Sequence, residues 1–228
     1  MRRLLLFDID GTLVAGGPAK GAFHTALLDA FGTAGPIQAH DFSGKTDPQI
    51  ARELLEVAGL SPAEIDRGLP RLWERYLEEL RARLPEHPMR ILPGVLALTE
   101  LLAGLENEVA LGLLTGNIVG GAELKLGSAG LYRHFRMGAF GSDSEVRNHL
   151  PGVALARAVE TWGKRFDPED VLVIGDTPRD VECGLAHGTI TVGVATGRFP
   201  AEALLEAGAH HVVEDFSDTQ ALAELLVG

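Results

Sequence analysis

Four short apolar runs punctuate the chain, Arg3–Phe7, Val109–Leu114, Val171–Ile174 and Thr191–Ala195, with a weaker fifth at His211–Val213. Each has the length of a buried strand and is too short to be a helix. Between the later runs lie segments with apolar residues at helical spacing: Gly94–Leu105, Val119–Ala129, and a stretch after Pro151 in which Val153, Ala156, Val159 and Trp162 share one face. Gly104, Gly130 and Gly163 follow them at positions suited to left-handed C-caps. This alternation predicts an α/β fold, a Rossmann-like, mostly parallel sheet core covered by helices on both faces.

The first strand stands apart from the rest of that pattern. From about Pro18 to Pro88 there is no good strand, and three helical patterns appear instead: Ala22–Phe31, Pro48–Ala58 and Pro62–Leu84. The last opens on Ser61-Pro62-Ala63-Glu64, a capping box with proline at the first helical position, and Pro85 and Pro88 stop it. We therefore expect residues 1–14 and 91–228 to form the α/β core, and residues 15–90 to form an inserted, all-helical cap domain. An insertion leaving the carboxyl end of a strand lies over the crevice where α/β proteins bind ligands.

Composition narrows the function classes. With 46% hydrophobic and 23% charged residues, the chain is that of an ordinary soluble protein. No apolar run approaches the roughly 20 residues that span a bilayer. The four apolar residues Leu4 to Phe7 fall short of the about 7–15 of a secretory h-region. The single Cys183 cannot form an internal disulfide, so the cytoplasm is the expected compartment. The net charge is −12, and neither residues 1–90 (11 basic, 13 acidic) nor residues 91–228 (9 basic, 19 acidic) carry a basic footprint. Nucleic acid and anionic membrane are excluded as expected partners. An anionic ligand would need local cations or a metal to overcome that field.

The acidic residues are not scattered evenly. Phe7-Asp8-Ile9-Asp10-Gly11-Thr12 places two carboxylates at the end of the first strand. Alone, this is also compatible with a strand followed by an Asp-Gly turn. A second pair follows another strand, in Gly175-Asp176-Thr177-Pro178-Arg179-Asp180. Capping of the next helix accounts for one of those aspartates but not both. If the two strands are neighbours, about 4.8 Å apart, their carboxyl ends bring several carboxylates within reach of one ion. Hard oxygen donors without matching Cys or His select Mg²⁺, which fills its coordination sphere with water and phosphate oxygens. Leu113-Leu114-Thr115-Gly116-Asn117 ends a third strand with a hydroxyl, a glycine amide and a following helix N-terminus, a cradle for phosphate oxygens; its ordinary alternative is an N-cap at Asn117. Arg147 supplies a cation in a polar loop, where a solvated charge is the plainer alternative.

The order of these motifs resembles the haloacid dehalogenase-like hydrolase superfamily, nearest to its phosphoglycolate-phosphatase-like members with a helical cap after the first strand. The resemblance covers essentially the whole chain. It implies that Asp8 is the nucleophile that forms an aspartyl-phosphate, and that Asp10 is the general acid/base. It also implies that Mg²⁺ is held by the Asp8 carboxylate, the Asp10 backbone carbonyl and Asp176, with Asp180 one layer behind. Thr115 and Gly116 would bind phosphoryl oxygens beside Asn117. The family's third motif usually supplies a lysine, and here Arg147 is expected to take that role, with Lys45 in the insertion's Phe42-Ser43-Gly44-Lys45-Thr46-Asp47 as competitor. An acid at position 10 points away from the superfamily's dehalogenases and phosphonate-cleaving members, which lack one there.

The expected function is Mg²⁺-dependent hydrolysis of a small, soluble phosphate monoester, a phosphorylated metabolite of the phosphoglycolate kind. A sugar-phosphate phosphomutase and a non-catalytic metal- or phosphate-binding module are the alternatives. Trp73 and Tyr76 are read as packing residues, Cys183 as a buried small hydrophobe, and His210-His211 as lacking metal-site spacing. His87 and His149 lie in loops, and the sequence does not specify an oligomeric state.

Overall fold

The computed structural model describes all residues, 1–228. Its core is a six-stranded parallel sheet made of β1 (Arg3–Phe7), β4 (Val109–Thr115), β5 (Met137–Phe140), β6 (Val171–Gly175), β7 (Ile190–Val194) and β8 (His211–Val213). Two further strands, β2 (Val14–Gly16) and β3 (Met89–Ile91), form a separate antiparallel ribbon. The order in the main sheet is β5-β4-β1-β6-β7-β8. That order reverses direction at β1, the topology in which ligands bind beyond the carboxyl ends of the strands. Register does the positioning. Phe7 pairs with Leu113 on one side and with Ile174 on the other, so the residues after β1 lie between the tips of β4 and β6.

β1 is buried on both faces, and its side chains divide accordingly. Leu5 and Phe7 join the larger apolar cluster, while Leu4 and Leu6 join a smaller one beneath α6 (Leu150–Trp162). Strands covered on both faces read as continuous apolar runs, which is why these were legible. α4 (Val95–Ala103), α5 (Val119–Ser128), α7 (Pro178–Leu185), α8 (Ala201–Glu206) and α9 (Thr219–Val227) complete the α/β layers.

The chain leaves and re-enters this core through the β2–β3 ribbon. Between them lie α1 (Ala19–Phe31), α2 (Asp47–Val57) and α3 (Pro62–Arg83), the helical insertion. The Ser61 amide donates to Glu64 at 2.9 Å, as the capping box requires. Phe23 of α1 stacks on Trp73 and meets Tyr76 edge-on, so both α3 aromatics serve helix packing. Leu27, Leu54, Ile65 and Tyr76 belong to the same apolar cluster as Phe7 and Leu13, and the insertion therefore packs continuously onto the core.

The structure corrects several local expectations. β5 is an edge strand of four residues containing a glycine, too short and too weakly apolar to stand out. β2 and β3, at three residues each, were equally invisible. Gly130 (φ 71) and Gly163 (φ 65) are left-handed as expected, whereas Gly104 stays right-handed at φ −70. No helix is long and apolar enough to cross a membrane.

Candidate active site

The tips of β1, β4 and β6 open into a cavity of about 540 Å³ between the sheet and the helical insertion. Asp8 is the first residue beyond β1, and its amide donates to the Ile174 carbonyl of β6 at 2.9 Å. Asp176 is the first residue beyond β6, and Thr12 donates its hydroxyl to Asp176 Oδ1 at 3.3 Å. Asp180 follows one turn into α7. All three are buried, with carboxylate oxygens within 4.8 Å of one another. The turn after Asp8 holds this geometry tightly. Gly11 has φ 88, and a side chain there would run into the Asp176 carboxylate.

Arg147 is buried to 6% exposure at the edge of this cluster. Its Nη2 lies 3.2 Å from Asp8 Oδ1 and also pairs with Asp180 Oδ1. Asp180 is doubly committed, because its other oxygen accepts from the Thr177 amide (3.0 Å) and hydroxyl (2.7 Å) in a capping box on α7. Capping and charge pairing thus coincide on Asp180 and leave Asp176 unaccounted for by either.

Three buried carboxylates stand beside one guanidinium that pairs with only two of them, Asp8 and Asp180, and the imbalance is visible in the protonation of Asp8 and Asp176. Burial, then repulsion from Asp180, pushes Asp8 well above the ordinary 3.8, although Arg147 opposes this. Burial, then Asp180 and Asp8, does the same to Asp176. Burial disfavours the Arg147 charge, but Asp180 and Asp8 outweigh it and hold the guanidinium firmly protonated. A divalent cation among hard oxygen donors would relieve the repulsion. The Asp10 carbonyl accepts none of the hydrogen bonds of its turn, while the neighbouring Ile9 carbonyl accepts three. The donor set therefore fits a magnesium-type ion.

Asp10 turns its side chain the other way. Its Oδ2 accepts from Asn117 Nδ2 at 2.8 Å and from Lys125 Nζ at 2.6 Å. Thr115 is buried at the tip of β4, and its hydroxyl oxygen accepts from Asn117 Nδ2 at 2.9 Å. Asn117 does not cap α5. The N-cap is Ile118, whose amide donates instead to Asp47 of the insertion at 2.8 Å.

The insertion closes over these residues along one loop. The Asp47 amide donates to the Gly116 carbonyl (2.7 Å), Thr46 to the Glu145 carbonyl (2.8 Å), and Arg179 to the Ser43 carbonyl (2.8 Å). A side chain at Gly116 would strike the Lys45 carbonyl, so the glycine permits this close approach. Lys45 lines the cavity but pairs within the insertion, with Glu53, whose Oε2 also lies 3.0 Å from His40. Lys45 makes no contact with Asp8.

The profile of the haloacid dehalogenase-like hydrolases matches residues 3–188. The chain belongs to this hydrolase family. It is 31% identical to phosphoglycolate phosphatase of Synechococcus elongatus over 224 residues, 97% of this chain and 98% of that one. It is 30% identical to N-acetylmuramic acid 6-phosphate phosphatase of Pseudomonas putida over 197 residues, 86% and 83% of the two chains. The solved structure of a hydrolase from Pseudomonas syringae superposes with a TM-score of 0.73 at 23% identity, covering 99% of this chain and all of that one. This haloacid dehalogenase-like hydrolase is accordingly an enzyme whose curated relatives are phosphatases.

Two site residues escaped the sequence reading of this hydrolase. Lys125 interrupts the buried stripe Gly121, Ala122, Leu126 of α5, and a lysine on an apolar face was the available signal. Asp47 looked like the first acidic residue of a helix, and burial raises its carboxyl to about 6. Conversely, His87 and His149 do not line the cavity, Cys183 is buried with its thiol pushed up to about 12 by burial, and His210 accepts from the Thr191 amide.

Proposed function

We propose that the protein is a Mg²⁺-dependent phosphatase that hydrolyses a small phosphate monoester through an aspartyl-phosphate on Asp8. The observation that carries this reading is the placement of Asp8. Its carboxylate stands at the floor of the cavity, oriented by Arg147 and beside Asp176. A carboxylate attacks a phosphoryl group only when the repulsion between the two anions is neutralised. Arg147 supplies part of that neutralisation and takes the role usually given to a lysine, since it touches Asp8 and Lys45 does not.

Asp8 and Asp176 with their carboxylates, and Asp10 with its backbone carbonyl, would hold Mg²⁺, and Asp180 would fix Arg147 and α7 behind them. When bound, the ion supplies charge neutralisation between nucleophile and phosphate. Thr115 and the Gly116 amide, with Asn117 beside them, bind the phosphoryl oxygens. Asp10 protonates the leaving alcohol and then takes a proton from the water that hydrolyses the acyl-phosphate. The helical insertion, residues 15–90, acts as the cap that shields this chemistry from bulk water, and Lys45 faces the substrate from the cap side. The phosphoglycolate phosphatase and N-acetylmuramic acid 6-phosphate phosphatase relatives support a small phosphorylated metabolite as substrate.

The test is a panel of phosphorylated metabolites assayed for inorganic phosphate with Mg²⁺, with and without chelator. Chelator-sensitive release, abolished by Asp8→Asn, is the expected result. An isomerised sugar phosphate without phosphate release would instead identify a mutase, and silence across the panel a binding module.

A further inference from the structure

Lys125 is a buried ammonium that none of the roles above uses. It sits on the core-facing side of α5 at 4% exposure. A buried charge is tolerated only when paired and hydrogen-bonded. Here Nζ has two partners, Asp10 Oδ2 at 2.6 Å and Asn117 Oδ1 at 2.7 Å. The ammonium can only donate, so it fixes the Asn117 amide with its oxygen toward Lys125. The Asn117 nitrogen then donates to the same Asp10 Oδ2 and to Thr115 Oγ1. Both grips on Asp10 end on one oxygen. No hydrogen bond within the protein engages the other, Oδ1.

We propose that Lys125, acting with Asn117, is a positioning residue that fixes the rotamer of Asp10 and confines its transferable proton to Oδ1. The proposal rests on the phosphatase reading. With Oδ2 already accepting from two donors, Oδ1 is the free oxygen and the one that can carry a proton to the substrate. In the first half-reaction that proton passes from Oδ1 to the ester oxygen, as the bond from phosphorus to that oxygen breaks and the bond from phosphorus to Asp8 forms. In the second, Oδ1 takes a proton from water, whose oxygen bonds to phosphorus as the Asp8–phosphorus bond breaks. Inorganic phosphate leaves, and both carboxyl groups return to their starting states. Asp10 needs such a clamp because it lies outside β1 in a turn, with its side chain 45% exposed. The ring reaches the phosphate contact as well. Thr115 accepts from Asn117, and its own hydroxyl proton is left to donate to a phosphoryl oxygen.

The test compares wild type, Lys125→Met and Lys125→Arg on an alkyl phosphate and on p-nitrophenyl phosphate, whose phenolate leaves without protonation. Lys125→Met is expected to lose roughly a hundredfold in kcat on the alkyl ester, the low end of what acid–base catalysis contributes. KM should stay within about threefold, since of the groups placed on the phosphoryl oxygens Lys125 touches Asn117 alone. The loss should be clearly smaller on p-nitrophenyl phosphate, and Lys125→Arg should recover part of the alkyl-ester rate. Acid-quenched Lys125→Met turning over the aryl ester should carry more covalent phosphoryl group, by intact mass, than wild type. Should Lys125→Met melt early, Asn117→Ala removes the other grip and must show the same leaving-group signature. Equal losses on both esters with no trapped phosphoryl group, or an unimpaired kcat, overturn the proposal. If wild type turns over both esters and Asp10→Asn is dead while Lys125→Met is unimpaired, only the clamp is refuted. A wild type inactive on both esters with Mg²⁺ refutes the phosphatase reading and the clamp together.

Discussion

On the sheet side of the cavity, Asp8, Arg147, Asp176 and Asp180 are each 6% exposed or less, and each is held by a strand tip, a capping box or a neighbouring charge. On the helical side, Lys45, Glu53 and His40 are only partly buried and pair chiefly with one another. The sheet side concentrates like charges that a flexible scaffold could not keep together, and its geometry is set by the register of β1 with β4 and β6. The helical side is joined through the shared apolar cluster and through loop hydrogen bonds such as Asp47 to Gly116, while its polar residues Lys45, Glu53 and His40 stand outside that cluster. Under the proposed function, this contrast assigns chemistry to one wall and recognition to the other.

The largest expected effect lies at the centre of the rigid wall. Asp8→Asn retains the shape and one acceptor oxygen but lacks the nucleophilic carboxylate, and turnover should fall by about four orders of magnitude or more, as for other enzymes stripped of a nucleophile. Thermal melting should show the fold intact or stabilised, because one of three crowded carboxylates has gone. Residual activity within tenfold of wild type would remove Asp8 from the reaction.

Arg147 comes next, and it separates charge from geometry. Arg147→Met leaves Asp8 and Asp180 without their shared partner, and breaking such a buried pair costs about 3–5 kcal/mol. Urea denaturation should report that loss together with a collapse of kcat. Arg147→Lys keeps the charge but loses the planar fork whose Nη2 serves Asp8 and Asp180 while Nη1 donates to the Gly44 carbonyl, so an intermediate loss of activity is expected.

The carboxylate cluster also predicts how stability follows pH and metal. Asp8 and Asp176 have folded-state values raised above the ordinary 3.8. Their contribution to stability is therefore complete below that value and is lost as pH rises through the neutral range. Metal-free protein should melt at a lower temperature at pH 8 than at pH 5. Mg²⁺ should raise the melting temperature more at pH 8 than at pH 5, with about 2.7 kcal/mol of stabilisation at a hundredfold excess over Kd. An equal metal effect at both pH values would mean that the ion does not bind these carboxylates.

The rigid wall is also the legible one. Leu4–Phe7, Val109–Leu114 and Val171–Ile174 are apolar because both faces are covered, and Asp8, Thr115 and Asp176 stand within two residues of the ends of those runs, where periodicity stops. What the sequence hid depends on contacts between distant segments. Lys125 looks like one charge on an amphipathic helix until α5 packs beside the β1 turn, and only then does Asp10 become its partner. Asp47 reads as a first-turn acid of α2, yet its partner is the Ile118 amide, 71 residues away. β5 was missed because an edge strand of Met-Gly-Ala-Phe has neither the length nor the branched side chains of its neighbours.

The smallest expected effect belongs to Lys45, and it decides whether the two walls divide the labour. Its ammonium pairs with Glu53, whose side chain is 35% exposed, so the pair contributes no more than about 1 kcal/mol to stability. Lys45→Ala should melt close to wild type. It should raise KM several-fold and leave kcat within about twofold, because a group that binds substrate equally in ground and transition states acts on affinity alone. The measurement is a pair of saturation curves on whichever ester the panel identifies. A fall in kcat as deep as that of Arg147→Lys would place Lys45 on the phosphoryl group itself, and the helical wall would then share in the chemistry.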